Sequence, residues 1–244
     1  MLLPETSNNV VSILSGGLDS TILTHLLVKK YGADKVHALS FDYNQKQKIE
    51  LQRAAKTCSN LGIQHKILDL SILGEIARPI SANISGTDVA MPSIKDILGH
   101  PQPVTYVPYR NMLLLTFGLS FAETVKANFI FTGLQSQDAY GYWDTTYKFI
   151  SDINQVSSNN RLHNIKVIAP FTELSKADEI LLAVDGGFID DLKDTLTCYN
   201  PIGELSCGKC PSCAERIAQF AKVGIKDPVD YAIELNWEEL YGRF

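Results

Sequence analysis

Apolar runs alternate with amphipathic stretches along this chain, a pattern that predicts strands each followed by a helix. The predicted strands are residues 10–14, 36–41, 64–70, 129–132 and 166–169. The predicted helices are residues 20–31, 46–61, 111–125, 147–157 and 175–184. This alternation is typical of an α/β fold with a doubly wound parallel sheet, in which ligands bind beyond the carboxyl ends of the strands.

The pattern breaks down between residues 78 and 104, which are rich in Pro, Gly and Ser. A segment of this length without regular structure is usually functional or mobile in a compact domain. A second change comes near the C-terminus, where cysteines accumulate. We therefore predict an α/β domain over residues 1–190 and a metal-binding, helical region over residues 191–244.

Composition and charge restrict the class of protein. The chain has 244 residues, of which 45% are apolar and 20% charged, enough for a substantial core. A net charge of −5 argues against a general nucleic-acid-binding surface. No apolar run approaches the length of a membrane span, and the N-terminus lacks the features of a signal peptide. We expect a cytoplasmic protein with no membrane contact.

The segment after the first predicted strand reads Ser15-Gly16-Gly17-Leu18-Asp19-Ser20, with Leu14 leading into it and a helix following. Paired glycines let backbone N–H groups converge, and a helix N-terminus adds partial positive charge. Two hydroxyls and one carboxylate complete a set suited to pyrophosphate and a metal ion. The alternative is a glycine turn without a ligand.

This hexapeptide differs from the Walker A pattern and resembles the Ser-Gly-Gly-x-Asp-Ser loop of the PP-loop ATP pyrophosphatases. Those enzymes cleave ATP between the α and β phosphates and make an adenylated substrate. The resemblance implies that this chain does the same.

Four of the five cysteines form a cluster in sequence at Cys198, Cys207, Cys210 and Cys213. Two overlapping Cys-x-x-Cys units and a further thiolate supply the four ligands of a closed, structural zinc site. An iron–sulfur cluster, which also takes four cysteines, is the main alternative, and a redox Cys-x-x-Cys pair is a weaker one. Cys58 stands apart and is expected to be a core residue.

With this glycine loop and these cysteines, the chain resembles the 7-cyano-7-deazaguanine synthase (QueC) family, and the resemblance covers nearly its whole length. Further matching segments are Phe41-Asp42-Tyr43, residues 68–71, residues 107–111, Thr132-Gly133, residues 141–144, residues 174–177 and residues 196–200. The string Leu-Thr-Cys-Tyr-Asn joined to Cys-x-x-Cys-x-x-Cys is much more specific than the loop alone.

The resemblance implies an ATP-dependent ligase that converts 7-carboxy-7-deazaguanine and ammonia to the nitrile through an amide. Two adenylations are implied, because a carboxylate oxygen and an amide oxygen are poor leaving groups while AMP is a good one. ATP, Mg²⁺ and Zn²⁺ are the implied cofactors, and a homodimer is the implied assembly.

Roles for single residues follow from the same resemblance and from their positions. The implied ATP-binding set is Leu14, Ser15, Gly16, Gly17, Leu18, Asp19, Ser20, Asp42, Tyr43, Arg110 and Gly133. The implied catalytic set is Asp19, Ser20 and Lys176. For the substrate we expect Arg110, Tyr142, Trp143 and Asp144, whose rings suit a flat purine-like ligand. Surface or core roles are the alternatives for Lys176, Arg110 and the two aromatic residues.

The chain departs from the family at the expected substrate end. The common Gly-Tyr-Pro-Asp-Cys-Arg is replaced by residues 141–146, which place a tryptophan at Trp143 and remove the arginine at Thr146. The common Val-Pro-Gly-Arg-Asn has Tyr109 in place of its glycine. These differences leave open an enzyme that stops at the amide or joins the activated acid to another amine, including one on a protein. A PP-loop enzyme that modifies tRNA and a nucleotide-binding protein without catalysis are further alternatives.

Overall fold

A computed structural model describes residues 3–91, 103–135 and 142–241. Its five strands are β1 (Asn9–Ile13), β2 (Val36–Asp42), β3 (Gln64–Asp69), β4 (Ala127–Phe131) and β5 (Lys166–Ile168). Its α-helices are α1 (Leu18–Tyr31), α2 (Ile49–Leu61), α3 (Ser71–Ala77), α4 (Arg110–Thr124), α5 (Tyr147–Ser157), α6 (Lys176–Gly186), α7 (Pro211–Val223) and α8 (Trp237–Tyr241). Short 3-10 helices occupy Trp143–Thr145 and Ile189–Asp194.

The five strands form one parallel sheet in the order β3-β2-β1-β4-β5. The chain leaves β1 toward β2 and β3, then crosses back to place β4 on the other side of β1. The carboxyl ends of β1 and β4 therefore flank the point at which the strand order reverses. This parallel strand order confirms the doubly wound α/β fold predicted from the sequence. Ligands of such sheets bind in the crevice at the point of reversal.

Apolar clusters cover both faces of the sheet. On one face, Leu18, Ile22 and Phe131 pack with Ile180 of α6 and Phe220 of α7. On the other face, Val11, Leu39 and Ile130 pack with Leu115 of α4 and Phe149 of α5. Because strands of a parallel sheet are buried on both faces, β1 and β2 read as continuous apolar runs in the sequence. Phe220 shows that α7, beyond the predicted boundary at residue 190, shares the core of the sheet.

Local sequence signals explain where several helices begin and end. Ser175 caps α6 by accepting from the Asp178 N–H at 3.3 Å, while the Asp178 carboxylate accepts from the Ser175 N–H at 2.8 Å. Helix α2 ends at Gly62, whose φ of 65° is the left-handed conformation that ends many helices. The sequence placed the start of α1 at Ser20, whereas the helix begins at Leu18 and so takes in part of the glycine loop.

Helix α3 was not predicted. It lies between β3 and the segment predicted to be irregular, and at seven residues it is too short to show a clear helical period. The described part of that segment, residues 78–91 and 103–104, contains turns, and residues 92–102 lie outside the described residues. Among the helices that the structure describes, none is both long and apolar enough to cross a membrane.

Candidate functional site

The glycine loop between β1 and α1 is closed by its own hydroxyl groups. The Ser15 N–H donates to Ser20 Oγ at 3.2 Å, and the two serine hydroxyls lie 2.9 Å apart. The Gly17 N–H donates to Ser15 Oγ at 3.2 Å. These bonds hold the loop against the first turn of α1, so its backbone and the helix N-terminus face the same space.

Two glycines permit close approach of neighbouring elements to the loop. Gly16 has a φ of 93°, and a Cβ there would lie 2.1 Å from the Glu50 carbonyl oxygen of α2. A Cβ on Gly133, which follows β4, would lie 3.1 Å from the Ser20 nitrogen. Any side chain at Gly16 would therefore push α2 away from the loop.

Asp19 lies in the first turn of α1 close to a lysine of α6. Its Oδ2 is 4.0 Å from Nζ of Lys176, the first residue of α6. Lys176 is also 3.6 Å from Oε2 of Glu215 on α7. The loop, α6 and α7 thus bring one cation and two carboxylates together, although 150 residues or more separate Asp19 from the other two.

Glu179 lies behind Asp19 and is fully buried. It accepts a short hydrogen bond from the Gln135 side-chain amide. Burial and the neighbouring Asp19 carboxylate raise the pKa of Glu179 to about 10. The Asp19 Oδ1 and Glu179 Oε2 atoms are buried, and the two side chains interact with each other. Such oxygens are the ligands that Mg²⁺ prefers.

A cavity of about 370 Å³ opens over the loop at the strand-order reversal. The sequence-predicted residues that line it are Leu14, Ser15, Gly17, Leu18, Asp19, Ser20, Tyr43, Arg110, Gly133 and Lys176. Gly16 lies beneath the surface, where its carbonyl accepts from the Leu196 N–H at 3.0 Å. The structure therefore brings most of the expected ATP-binding set to one cavity.

Asp42 takes a different position. It ends β2, where its carboxylate accepts from the Asn44 N–H at 3.0 Å and pairs with Lys48 at 3.2 Å. It lines neither the cavity over the loop nor the one beside it. In the structure Asp42 stabilises the turn after β2.

A second cavity of about 230 Å³ shares a wall with the first. Tyr43, Glu50, Arg110 and Tyr199 line both cavities. Burial raises the pKa of Glu50 to about 8, although the Arg110 guanidinium opposes the shift. Burial alone would lower the pKa of Arg110, but the hydrogen bond and charge interaction with Tyr43 and the Asp144 carboxylate raise this pKa above its ordinary value. Two half-buried groups, one acidic and one basic, therefore mark the junction of the cavities.

The side chains of the three residues expected to form a purine pocket lie in different surroundings in the structure. Tyr142 lines the second cavity, and its hydroxyl lies 2.6 Å from Thr105 Oγ1. Trp143 is 45% exposed, lines neither cavity, and donates its indole N–H to Tyr106 Oη at 3.0 Å. The ring of Trp143 meets Tyr109 edge-on at 5.6 Å. Only Tyr142 of the three faces the space available to a ligand.

Asp144 is buried and serves the start of α4. Its Oδ2 accepts from the Asn111 N–H at 3.1 Å, and the Asn111 side-chain amide donates to the Asp144 carbonyl at 3.1 Å. Burial raises the pKa of Asp144, while the Asn111 hydrogen bond and Arg110 act in the opposite direction. Asp144 therefore fixes the helix end that carries Arg110 and does not line the described cavities.

The four cysteines of the C-terminal cluster lie together and are buried. Their sulfur atoms all lie within 4.8 Å of one another. Cys207 Sγ is 3.9 Å from Cys213 Sγ, and Cys198 Sγ is 3.9 Å from Cys210 Sγ. A tetrahedral ion with bonds of about 2.3 Å sets its sulfur ligands roughly 3.8 Å apart. The sulfur positions therefore fit one tetrahedral metal ion.

The cysteine cluster and the glycine loop touch. The Leu196 N–H bonds to Gly16, and Cys198 follows two residues later. Helix α7, which starts after Cys210, contributes Ser212 and Glu215 to the first cavity. Arg216 of α7 is buried and makes two bonds of 2.6 and 2.9 Å to Asp227. Metal binding and loop geometry are therefore connected through a few residues.

Glu50 and Glu179 were missed by the sequence analysis. Both lie in amphipathic helical stretches, where a glutamate is ordinarily exposed. Glu179 stands three residues after Lys176 and so shares its helix face, which is the one signal available in the sequence. For Glu50 no local signal exists, because its burial depends on Arg110 and on the loop beneath it.

Comparison with known proteins gives consistent family assignments. The family model described as "Queuosine biosynthesis protein QueC" matches residues 9–224. A 7-cyano-7-deazaguanine synthase of Pseudoalteromonas atlantica is 35% identical over 226 residues, covering 91% of this chain and 98% of the relative. One from Caldicellulosiruptor saccharolyticus is 35% identical over 229 residues, covering 94% and 98%.

Solved structures are less similar. The NH3-dependent NAD synthetase of Campylobacter jejuni has a TM-score of 0.45 and 16% identity, covering 77% of this chain and 68% of its own. Similarity of that degree carries no functional argument. The family match and the relatives, by contrast, span almost the whole chain. The chain therefore belongs to the QueC family of queuosine biosynthesis proteins.

Proposed function

We propose that this chain is an ATP-dependent ligase that converts 7-carboxy-7-deazaguanine and ammonia to 7-cyano-7-deazaguanine. The product is the one named for the 35% identical relatives. The observation that carries the proposal is the junction of the two cavities. There the glycine loop with Asp19 and Lys176 faces the space that Arg110, Glu50 and Tyr142 line.

The first cavity suits the triphosphate of ATP. The backbone N–H groups of Gly17 and Leu18 and the hydroxyls of Ser15 and Ser20 hold the pyrophosphate part, assisted by the helix dipole. Lys176 neutralises phosphate charge as it moves toward the leaving group. Asp19, with Glu179 behind it, would hold Mg²⁺, which would supply charge neutralisation at the phosphates.

The second cavity suits the acid. Arg110 begins α4 at the junction and offers a forked set of N–H donors to a carboxylate. Its Nη1 donates to Tyr43 Oη at 3.4 Å, which orients the guanidinium. Holding the carboxylate there aligns one of its oxygens with the α-phosphate, and that positioning is the main contribution of the protein.

The chemistry proceeds by two displacements at phosphorus. A carboxylate oxygen attacks the α-phosphorus and pyrophosphate leaves; ammonia then attacks the acyl carbon and AMP leaves with the original oxygen. The amide oxygen attacks a second ATP in the same way. Loss of AMP and of the nitrogen protons leaves the nitrile, so both carboxylate oxygens end in AMP.

The four cysteines hold a structural Zn²⁺ in this proposal. All four ligands come from the protein, which leaves no open position for catalysis. The metal fixes the segment that binds Gly16 and the start of α7. A homodimer and a protein acceptor stay predictions from the sequence.

Incubation of the protein with ATP, Mg²⁺, ammonia and 7-carboxy-7-deazaguanine, followed by mass spectrometry, tests the proposal. We expect nitrile and AMP. Amide as the end product would show that the reaction stops halfway, the alternative that the changed residues at Trp143 and Thr146 leave open. No turnover of this acid would reject it as the substrate.

A further inference from the structure

The Glu50 carboxyl group lies at the junction of the two cavities, with no hydrogen-bond partner among the described residues. Within the described residues it makes no hydrogen bond and no ion pair, and its one described electrostatic neighbour is Arg110. Its main chain is fixed, because the Glu50 carbonyl lies over Gly16 where a Cβ would approach to 2.1 Å. A carboxyl group that is held in a cleft, has a raised pKa and has no hydrogen-bond partner among the described residues indicates a ligand.

The chemistry of the pair selects the kind of ligand. A carboxylate accepts two parallel hydrogen bonds, and a guanidinium donates two. A 7-deazaguanine acid presents two N–H donors side by side, at N1 and the 2-amino group. Its acid group on C7 lies on the opposite side of the ring system, on the five-membered ring. Glu50 and Arg110 match these two sides.

We propose that Glu50 recognises the N1–H and 2-amino edge of the 7-deazaguanine acid, while Arg110 holds the acid group. The assignment rests on the proposed function and makes Glu50 the residue that distinguishes a guanine-type base from a base without the 2-amino group. An ammonium ion is a poorer occupant of the site, because the positive charge of Arg110 opposes a second cation there.

The test combines a side-chain change with removal of one group from the ligand. Calorimetry measures binding of 7-carboxy-7-deazaguanine, and of its analogue without the 2-amino group, to the full chain. Mg²⁺ and α,β-methylene-ATP are present throughout, so no turnover occurs. The proteins are the unaltered chain, Glu50→Gln, and Glu75→Gln as a control whose exposed carboxylate lines neither cavity.

For the unaltered chain and for Glu75→Gln we expect the analogue to bind about tenfold or more weakly than the acid, the effect of losing a hydrogen bond to a charged group. For Glu50→Gln we expect the acid itself to bind on the order of tenfold more weakly. In Glu50→Gln, removal of the 2-amino group from the ligand should then cause almost no further loss of affinity. If Glu50→Gln does not fold, Glu50→Asp provides the same comparison, because its shorter side chain moves the carboxyl group away from the ligand.

The assignment of Glu50 would be overturned if removal of the 2-amino group reduced the affinity equally in the unaltered chain and in Glu50→Gln. The proposed function would still stand. Unchanged binding of the acid by Glu50→Gln, with a raised KM for ammonia in turnover, would assign Glu50 to ammonia instead. Failure of the unaltered chain to bind either compound would overturn the proposed function as well, so the two failures are distinguishable.

Discussion

Asp19 lies where its carboxylate faces the cavity over the glycine loop, close to Lys176. One of its oxygens is buried beside the buried carboxyl of Glu179, whose pKa the Asp19 carboxylate raises. Two carboxylates in such contact destabilise each other until a cation or a proton intervenes. Asp19 is therefore expected to serve the reaction and not the stability of the fold.

The variant Asp19→Ala tests this separation. We expect AMP formation to fall by a factor of about 100 or more, the loss that follows removal of a transition-state charge contact, while the thermal unfolding temperature is unchanged or higher. The exposed Asp185→Ala on α6 provides a matched control that retains turnover. A large drop in unfolding temperature, or full activity, in Asp19→Ala would contradict the assignment.

Glu50 gives the protein a predictable dependence of stability on pH. Its pKa rises from 4.5 to about 8 on folding, so between those values the folded state keeps a proton that the unfolded state has released. The contribution of Glu50 to stability is fully present below pH 4.5 and is lost as the pH rises toward 8.

Urea unfolding of the unaltered chain and of Glu50→Gln at pH 5 and pH 8 measures this contribution. Because glutamine does not titrate, the variant should gain stability relative to the unaltered chain as the pH rises through this window. A constant difference between the two proteins at both pH values would show that Glu50 is not perturbed in the folded state.

Helix α4 connects the fold to the site, since its first residue is Arg110 and its start depends on Asp144. Tyr109 before it has a left-handed φ of 52° and gives α4 no side-chain cap, so Asp144 accepts from the Asn111 N–H instead. The buried carboxylate therefore acts as a helix cap supplied from a distant segment.

Substitution Asp144→Ala should lower the free energy of unfolding by about 1–3 kcal/mol, the cost of losing a cap and leaving a buried N–H unpaired. Binding of the acid should weaken as well, because Arg110 loses its fixed helix end. Chemical denaturation and calorimetry measure the two effects. An unchanged unfolding midpoint would show that α4 does not need this cap.

The elements that the sequence predicted are those with strong local patterns. Buried apolar runs gave β1 and β2, and the loop and the cysteines were identified from their spacing alone. Helix α3 was missed because it has only seven residues, and its isoleucine and leucine side chains, some buried and some exposed, show no clear helical period. Glu50 and Glu179 were missed because burial of a carboxylate is set by neighbours far along the chain.

Trp143 and Asp144 belong to a dense polar and aromatic segment that the sequence predicts to form a ligand pocket, and their role toward a ligand stays a prediction. The structure uses Asp144 to cap α4 and places Trp143 against Tyr106 and Tyr109 at the surface. Residue types suited to a purine are also suited to these contacts, and only their orientation decides between the two roles.

At the scale of the whole molecule, the cysteine cluster supports the loop. Cys198 and α7 flank the Leu196 N–H that binds Gly16, and the buried pair of Arg216 and Asp227 anchors α7 to the C-terminal segment. Loss of the metal is therefore expected to disturb the first cavity as well as the cluster.

The variant Cys210→Ser should lower bound metal and the unfolding temperature together, and should weaken binding of α,β-methylene-ATP. Cys58→Ser is the matched control, because Cys58 is buried in α2 outside the cluster. It should retain metal even if it costs some stability. Elemental analysis, thermal unfolding and calorimetry provide the readouts. Full metal content in Cys210→Ser would contradict a site with four cysteine ligands.

The central claim is that this molecule adenylates the oxygen of a deazaguanine acid at the junction of its two cavities. The most direct measurement uses 7-carboxy-7-deazaguanine with ¹⁸O in both carboxylate oxygens, incubated with ATP, Mg²⁺ and ammonia. The account predicts nitrile, with one ¹⁸O atom in each AMP formed, as read by mass spectrometry. Label in inorganic phosphate or in water, with none in AMP, would contradict it.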